Sequence, residues 1–158
     1  MNSEQTTVSP THLLWKVAGW LIAVYTAAIA LATGYSAVRG LSSATTLTGN
    51  LIQLAPLVIA TYLVLVKRHV AGAILAAVFF GGLVLLNLSV LIANGGPLTW
   101  AIPGLNLFFG WNETFAHYGW SLGLLWVIFS SFAQLGLGIG AALGIVAWRR
   151  PQPEPSVS

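Results

Sequence analysis

Glu113 and His117 are the two residues of this chain whose types and spacing are best suited to chemistry. They are four positions apart at the start of the last apolar run, so a helix would place them on one face. There they could relay a proton, form half of a metal site, or act as acid and base at the mouth of a cavity. The simpler interpretation is structural, because Glu113 would stabilise the positive end of a helix dipole and His117 would lie at a polar interface.

A second group of polar residues suggests a small, neutral cavity that opens outward. Ser130 and Gln134 lie one turn apart on the last apolar run, and two earlier runs add an amide each. Polar side chains in lipid cost free energy unless they are paired, so these residues should face protein or trapped water. The structural alternative is a set of interhelical hydrogen bonds worth about 1 kcal/mol each. The complete set of candidate cavity residues is Gln53, Asn87, Glu113, His117, Ser130 and Gln134.

Gly136, Gly140 and Gly144 follow each other at four-residue spacing on the same run. In a helix they form a ridge without side chains, along which another helix backbone can approach closely. This glycine ridge predicts a tight helix contact. The contact could lie inside the bundle, or it could join the chain to another membrane protein or to a second copy.

Several kinds of site are excluded by composition or position. Cysteine is absent, so disulfides, thiolate metal sites and cysteine nucleophiles are not available. A bis-histidine haem needs two histidines at similar depth, whereas His12 and His69 are expected at the inner side and His117 at the outer side. A metal at Glu113 and His117 would need further ligands, and none are close in sequence. We therefore expect no metal, no cofactor and no catalytic residue.

The composition indicates that most of the molecular surface faces lipid. Of the 158 residues, 57% are hydrophobic and 6% are charged, whereas a soluble domain has roughly 25% charged residues. So few charges cannot cover a water-soluble surface, and the lipid bilayer is the expected surrounding. The six Lys and Arg residues are dispersed, so they form no basic patch for nucleic acid.

Four apolar runs predict four membrane-spanning helices. The run 17–38 would reach about 33 Å as a helix, against a hydrocarbon core of about 30 Å. It is longer than the apolar region of a signal peptide, which has about 7–15 residues, so we predict an uncleaved helix. The predicted fold is an all-α integral membrane protein, a single four-transmembrane-helix bundle. Its helices cover about 13–38, 46–66, 70–94 and 113–148, with disordered tails at 1–12 and 151–158.

The segment between the third and fourth helices is apolar but contains Gly95-Gly96-Pro97 and Pro103-Gly104. An interrupted backbone would leave polar groups unpaired if it crossed lipid. We therefore predict that 95–111 lies along the outer interface, as a short helix or an irregular lid.

The positive charges predict the orientation. If the N-terminus is cytoplasmic, every cation except Arg39 lies on the cytoplasmic side, as the positive-inside rule requires. Trp15 and Trp148 then mark the inner interface, where tryptophan is enriched. We expect a multi-pass protein of the bacterial inner (plasma) membrane, with both termini in the cytoplasm.

Three function classes remain open at this level. The favoured class is a non-catalytic accessory or assembly subunit that acts through helix packing, because the glycine ridge is prominent and reactive groups are few. The alternative is a small carrier or channel for a neutral or weakly polar solute, which the outward-facing polar residues would line. An intramembrane enzyme has the pair Glu113 and His117 as its support. Intramembrane Asp, Lys or Arg would have favoured ion coupling, and the apolar runs contain none.

Overall fold

The computed structural model describes residues 9–40, 44–94 and 111–150. Within the helices, the side chains of 45–46, 49–50, 86–87, 90–91, 94, 111–118 and 122–131 are not part of this description. Every regular element in the described ranges is an α-helix, so the predicted all-α class is confirmed. The helices are α1 (Pro10–Val38), α2 (Ala44–Leu65), α3 (Val70–Asn94) and α4 (Trp111–Arg149).

Two stretches are long and apolar enough to cross a membrane, namely Pro10–Val38 and Phe132–Arg149. The apolar parts of the other two helices are shorter, at Leu51–Leu65 and Val70–Leu85. The predicted interfacial segment 95–111 and the predicted tail 151–158 fall almost entirely outside the described residues.

The start of α1 corrects the predicted N-terminal tail, because the helix already begins at Pro10. Proline suits the first helical position, where its missing N–H would have had no intrahelical partner. The backbone N–H of His12 donates to the carbonyl of Ser9 at 2.9 Å and closes the first turn. The residues from 10 to 12 are therefore helical.

Pro56 lies in the interior of α2, and not in its first turns as the sequence suggested. The helix begins earlier than expected, at Ala44, and continues through the proline. Proline has no N–H to donate to the carbonyl four residues before it, so one backbone hydrogen bond to Ile52 is missing at this point. The loss is confined to one turn of a helix that is otherwise continuous.

A tight turn joins α2 to α3. Arg68 has a left-handed backbone conformation (φ 52°), and the N–H of His69 donates back to the carbonyl of Leu63 at 2.9 Å. The His69 ring then caps α3, because its Nδ1 accepts the backbone N–H of Ala71 at 3.1 Å. The helices α2 and α3 consequently run antiparallel as a hairpin.

The last helix is interrupted, which corrects the prediction of one continuous helix over 113–148. Gly119 has φ 74° and ψ 167° and divides α4 into a short first part and a long second part. A positive φ of this kind is accessible mainly to glycine. The excess length of the apolar run is thus accommodated by a break and not by one long tilted helix.

The four helices form a ring in which each contacts its two neighbours. α1 packs against α2 and α4, and α3 packs against the same two helices, with the most extensive contact between α1 and α4. The core is rich in alanine, which allows helix backbones to approach closely. Its buried apolar members are Trp15, Ala18, Ile22, Tyr25, Ala28, Leu57, Ala60, Val64, Ala73, Ala76, Ala133, Leu137, Ala141 and Ala147.

Candidate functional site

The glycine ridge of α4 lies inside the chain's own helix packing. A Cβ added at Gly140 would be 2.7 Å from the carbonyl oxygen of Ala18, and a Cβ at Gly136 would be 3.4 Å from the Leu21 side chain. At Gly144 the added atom would lie 2.7 Å from the Cβ of Ala73. Two of the glycines therefore face α1 and the third faces α3, so the ridge is already occupied.

Three further glycines are crowded in the same way. A Cβ on Gly19 would meet Leu65 at 2.7–2.9 Å, and one on Gly72 would lie 2.8 Å from the carbonyl oxygen of Ala60. Gly138 has the ring of Phe80 at 2.9 Å. Sequence analysis overlooked Gly72 and Gly138. The signal for Gly72 was present, because Gly72 and Ala76 are small residues at four-residue spacing.

The candidate polar cavity is brought together neither wholly nor in its described part. Gln53 is exposed on α2, and Gln134 is half-buried on α4, two helices that are not neighbours in the ring. Neither amide is hydrogen-bonded to another side chain that the structure describes. The side chains of the other four candidates, Asn87, Glu113, His117 and Ser130, lie outside the described residues.

An open groove between α1 and α2 was not expected from the sequence. It has a volume of about 490 Å³. Ala23, Ala27 and Ala30 form its wall on α1, and Leu54, Val58 and Leu65 are prominent on its α2 side. The remaining lining residues are Thr26, Thr61, Tyr62 and Val66. We call this feature the α1–α2 groove.

The two threonines of the groove are paired with each other. The Thr26 hydroxyl donates to the carbonyl of Ile22 at 2.9 Å, and its oxygen lies 3.2 Å from the Thr61 hydroxyl. A hydroxyl has one proton to donate. Because Thr26 gives its proton to its own helix, Thr61 is the donor between the helices. The groove therefore has an apolar lining with internally satisfied hydroxyls.

Positively charged residues gather at one end of the bundle, here called the basic end. The Arg68 guanidinium donates to Nε2 of His12, which joins the α2–α3 turn to the first turn of α1. Lys16 lies one turn further along α1, and the Lys67 ammonium is 5.9 Å from the centre of the Tyr62 ring. At the opposite end, Arg39 lies 5.7 Å from the centre of the Tyr35 ring.

The C-terminal end of α4 lies at the basic end too. A Cβ on Gly144 would be 3.7 Å from the Trp15 ring, near the start of α1. Arg149 and Arg150 follow within two turns. Over the described side chains there is no group of three His, Cys, Asp or Glu residues that could hold a metal ion.

No family model matches this chain, and no curated protein or solved structure is significantly similar to it.

Proposed function

We propose that this chain is a multi-pass protein of the bacterial inner membrane, with four helices across the bilayer and both termini in the cytoplasm. We further propose that it acts as a non-catalytic accessory or assembly subunit through helix contacts. The observation behind the membrane assignment is the exposure of large apolar side chains on all four helices. Examples are Trp20 on α1, Ile52 on α2, Val78 on α3 and Phe132 on α4, which are 62–68% exposed. A water-soluble monomer rarely exposes apolar surface on such a scale.

The helices α2 and α3 have sufficient length for the proposed span. With 22 and 25 residues they reach about 33 Å and 37 Å, compared with about 30 Å of hydrocarbon. Their less apolar turns lie away from the basic end. We propose that these turns are in the outer interface.

The basic end supports the proposed orientation. It combines the first turns of α1, the α2–α3 turn and the end of α4, and it contains all the described cations except Arg39. Positive charge flanking membrane helices is retained on the cytoplasmic side. Single cysteines test this orientation because the chain has none of its own. Ser43→Cys and Thr99→Cys should react with a membrane-impermeant thiol reagent in intact cells, and Ser156→Cys should not. Labelling at Ser156→Cys alone would invert the orientation.

The accessory role is supported by the bundle's small-residue packing. Because α1 and α3 cover the glycine ridge, we propose that a partner membrane protein contacts an outward face of the bundle instead. A carrier for a neutral solute would need its polar residues around one path, and the described Gln53 and Gln134 do not share one.

Co-purification from native membranes in a mild detergent tests the role. We expect a membrane partner at fixed stoichiometry, which is lost with Gly140→Leu but kept with Gln134→Leu. If the wild-type chain purifies alone, and transport across vesicles is lost in Gln134→Leu, the accessory role is wrong and the carrier alternative applies.

A further inference from the structure

The α1–α2 groove and the basic end are continuous on the molecular surface. Tyr62 and Val66 line the groove at its α2 side, and the Lys67 ammonium lies against the Tyr62 ring. Lys16 lies seven residues before Ala23 on α1. At 100° per residue, this spacing puts Lys16 on the same stripe of the helix as Ala23, Ala27 and Ala30.

The groove accepts a chain without polar groups. Its wall on α1 consists of alanines and Thr26, and the threonine hydroxyls are satisfied inside the protein. A polar solute would find few free partners in this lining, whereas an acyl chain needs none. Along α2 the groove extends from Leu54 to Val66, which is about 18 Å at roughly 1.5 Å per residue.

The end of the groove attracts an anion. Lys16, Lys67 and Arg68 are exposed there, and the described part of the chain contains no acidic side chain to neutralise them. Arg68 is joined to His12, a ring that brings no negative charge. The counter-charge must come from outside the described chain, and anionic lipid phosphates at the cytoplasmic surface are the natural source.

From this arrangement we propose that the α1–α2 groove binds an anionic phospholipid. One acyl chain lies along Ala23–Ala30 and Leu54–Leu65, and the phosphate contacts Lys16 and Lys67. The proposal rests on the membrane location proposed above and is independent of the accessory role. It assigns the groove to lipid and leaves the other outward faces for a protein partner.

Native mass spectrometry of the full chain in detergent tests this binding. Phosphatidylglycerol and phosphatidylcholine with identical acyl chains are added in equal amounts, and the retained lipid is compared. We expect phosphatidylglycerol to be retained preferentially. Each lysine should contribute about fivefold, which is about 1 kcal/mol per cation near a membrane surface converted at about 1.4 kcal/mol per tenfold.

Two pairs of matched variants locate the site. Lys16→Gln combined with Lys67→Gln should reduce phosphatidylglycerol retention roughly 25-fold and leave phosphatidylcholine unchanged. Its control, Arg149→Gln combined with Arg150→Gln, removes as much charge from the same end but away from the groove. Ala27→Trp should fill the groove and reduce retention of both lipids, whereas Ala142→Trp, on the exposed face of α4, should not.

Three results would overturn the lipid site. One is equal loss of phosphatidylglycerol in both charge variants, because the preference would then be a general effect of net charge. Another is unchanged lipid retention in Ala27→Trp. The third is loss of a co-purifying chain or of a dimer in Ala27→Trp with lipid retention intact, which would assign the groove to a protein helix.

Alkaline carbonate extraction separates failure of this site from failure of the proposed function. A chain that is released from membranes by carbonate is not integral, and both proposals then fail. A chain that stays in the membrane but shows no lipid preference refutes the lipid site alone.

Discussion

In the half of the bundle next to the basic end, glycine lies where two helices touch, whereas in the opposite half it lies on open surface. Gly140 and Gly144 leave no room for a Cβ, but no described atom lies within 4 Å of a Cβ added at Gly34 or Gly82. The buried apolar core follows the same division, because its α1 members end at Ala28. Glycine content alone therefore does not indicate packing. The neighbouring backbone decides whether a glycine is required.

The largest effect is expected at the tightest contact. Gly140→Leu would force a branched side chain against the Ala18 carbonyl, which a Cβ alone would approach to 2.7 Å. We expect the free energy of unfolding in mixed detergent micelles to fall by about 3 kcal/mol. The matched control Gly82→Leu should change it by less than about 0.5 kcal/mol. Equal losses in the two variants would show that the halves do not differ in packing.

A smaller substitution tests the contrast within the glycine ridge itself. Gly144→Ala would place its Cβ 2.7 Å from the Cβ of Ala73, whereas Gly136→Ala would lie 3.4 Å from a flexible leucine side chain. We expect Gly144→Ala to cost about 2 kcal/mol. Gly136→Ala should be neutral or slightly stabilising, because alanine favours helix by up to about 1 kcal/mol over glycine. Thermal unfolding in detergent should rank the two variants, and the reverse ranking would contradict the geometry.

In the open half, the glycine at the α4 break is expected to matter for its backbone conformation. Gly119 has φ 74°, so Gly119→Ala should cost about 1–2 kcal/mol. Gly34→Ala, in a regular part of α1 with no described neighbour, is the control and should be neutral or stabilising. Denaturant unfolding of both variants measures the difference. A neutral Gly119→Ala would mean that the helix can continue through this position.

The all-helical class could be predicted from the sequence because it depends on local properties. Long apolar runs with few charges leave the helix as the structure that pairs every backbone group within one segment. The positions of the runs also follow from composition, and the spacing of the glycine ridge marks a face suited to close contact. These features need no knowledge of the neighbouring helices.

What the sequence could not supply is the identity of the neighbours. The glycine ridge could have met a partner, and its contacts with Ala18 and Ala73 depend on how α4 is rotated within the ring. The same rotation separates Gln53 from Gln134, which seemed compatible with one cavity when considered by depth alone. The α1–α2 groove consists of ordinary alanines, leucines and threonines, and a space between two helices has no signature in either one.

The smallest expected effect concerns the hydrogen bond that joins α1 to α2 in the groove. Thr61→Val removes the hydroxyl that donates to Thr26 but leaves the bond from Thr26 to the Ile22 carbonyl in place. No buried donor is left without an acceptor, so the cost should be near the average interhelical value of about 0.6 kcal/mol. Thr48→Val is the control, because its exposed hydroxyl bonds to Ala44 within its own helix.

A double-mutant cycle with Thr26→Val and Thr61→Val isolates the interhelical part of this bond. A coupling energy well above about 1.7 kcal/mol, the largest value expected for such bonds in membranes, would contradict the view that small-residue packing dominates. A coupling energy of zero would mean that Thr26 and Thr61 do not share a hydrogen bond in the membrane. Because valine keeps the lining apolar, Thr61→Val should also leave lipid retention in the groove unchanged. The stability of the contact and the binding of lipid can therefore be measured separately at one position.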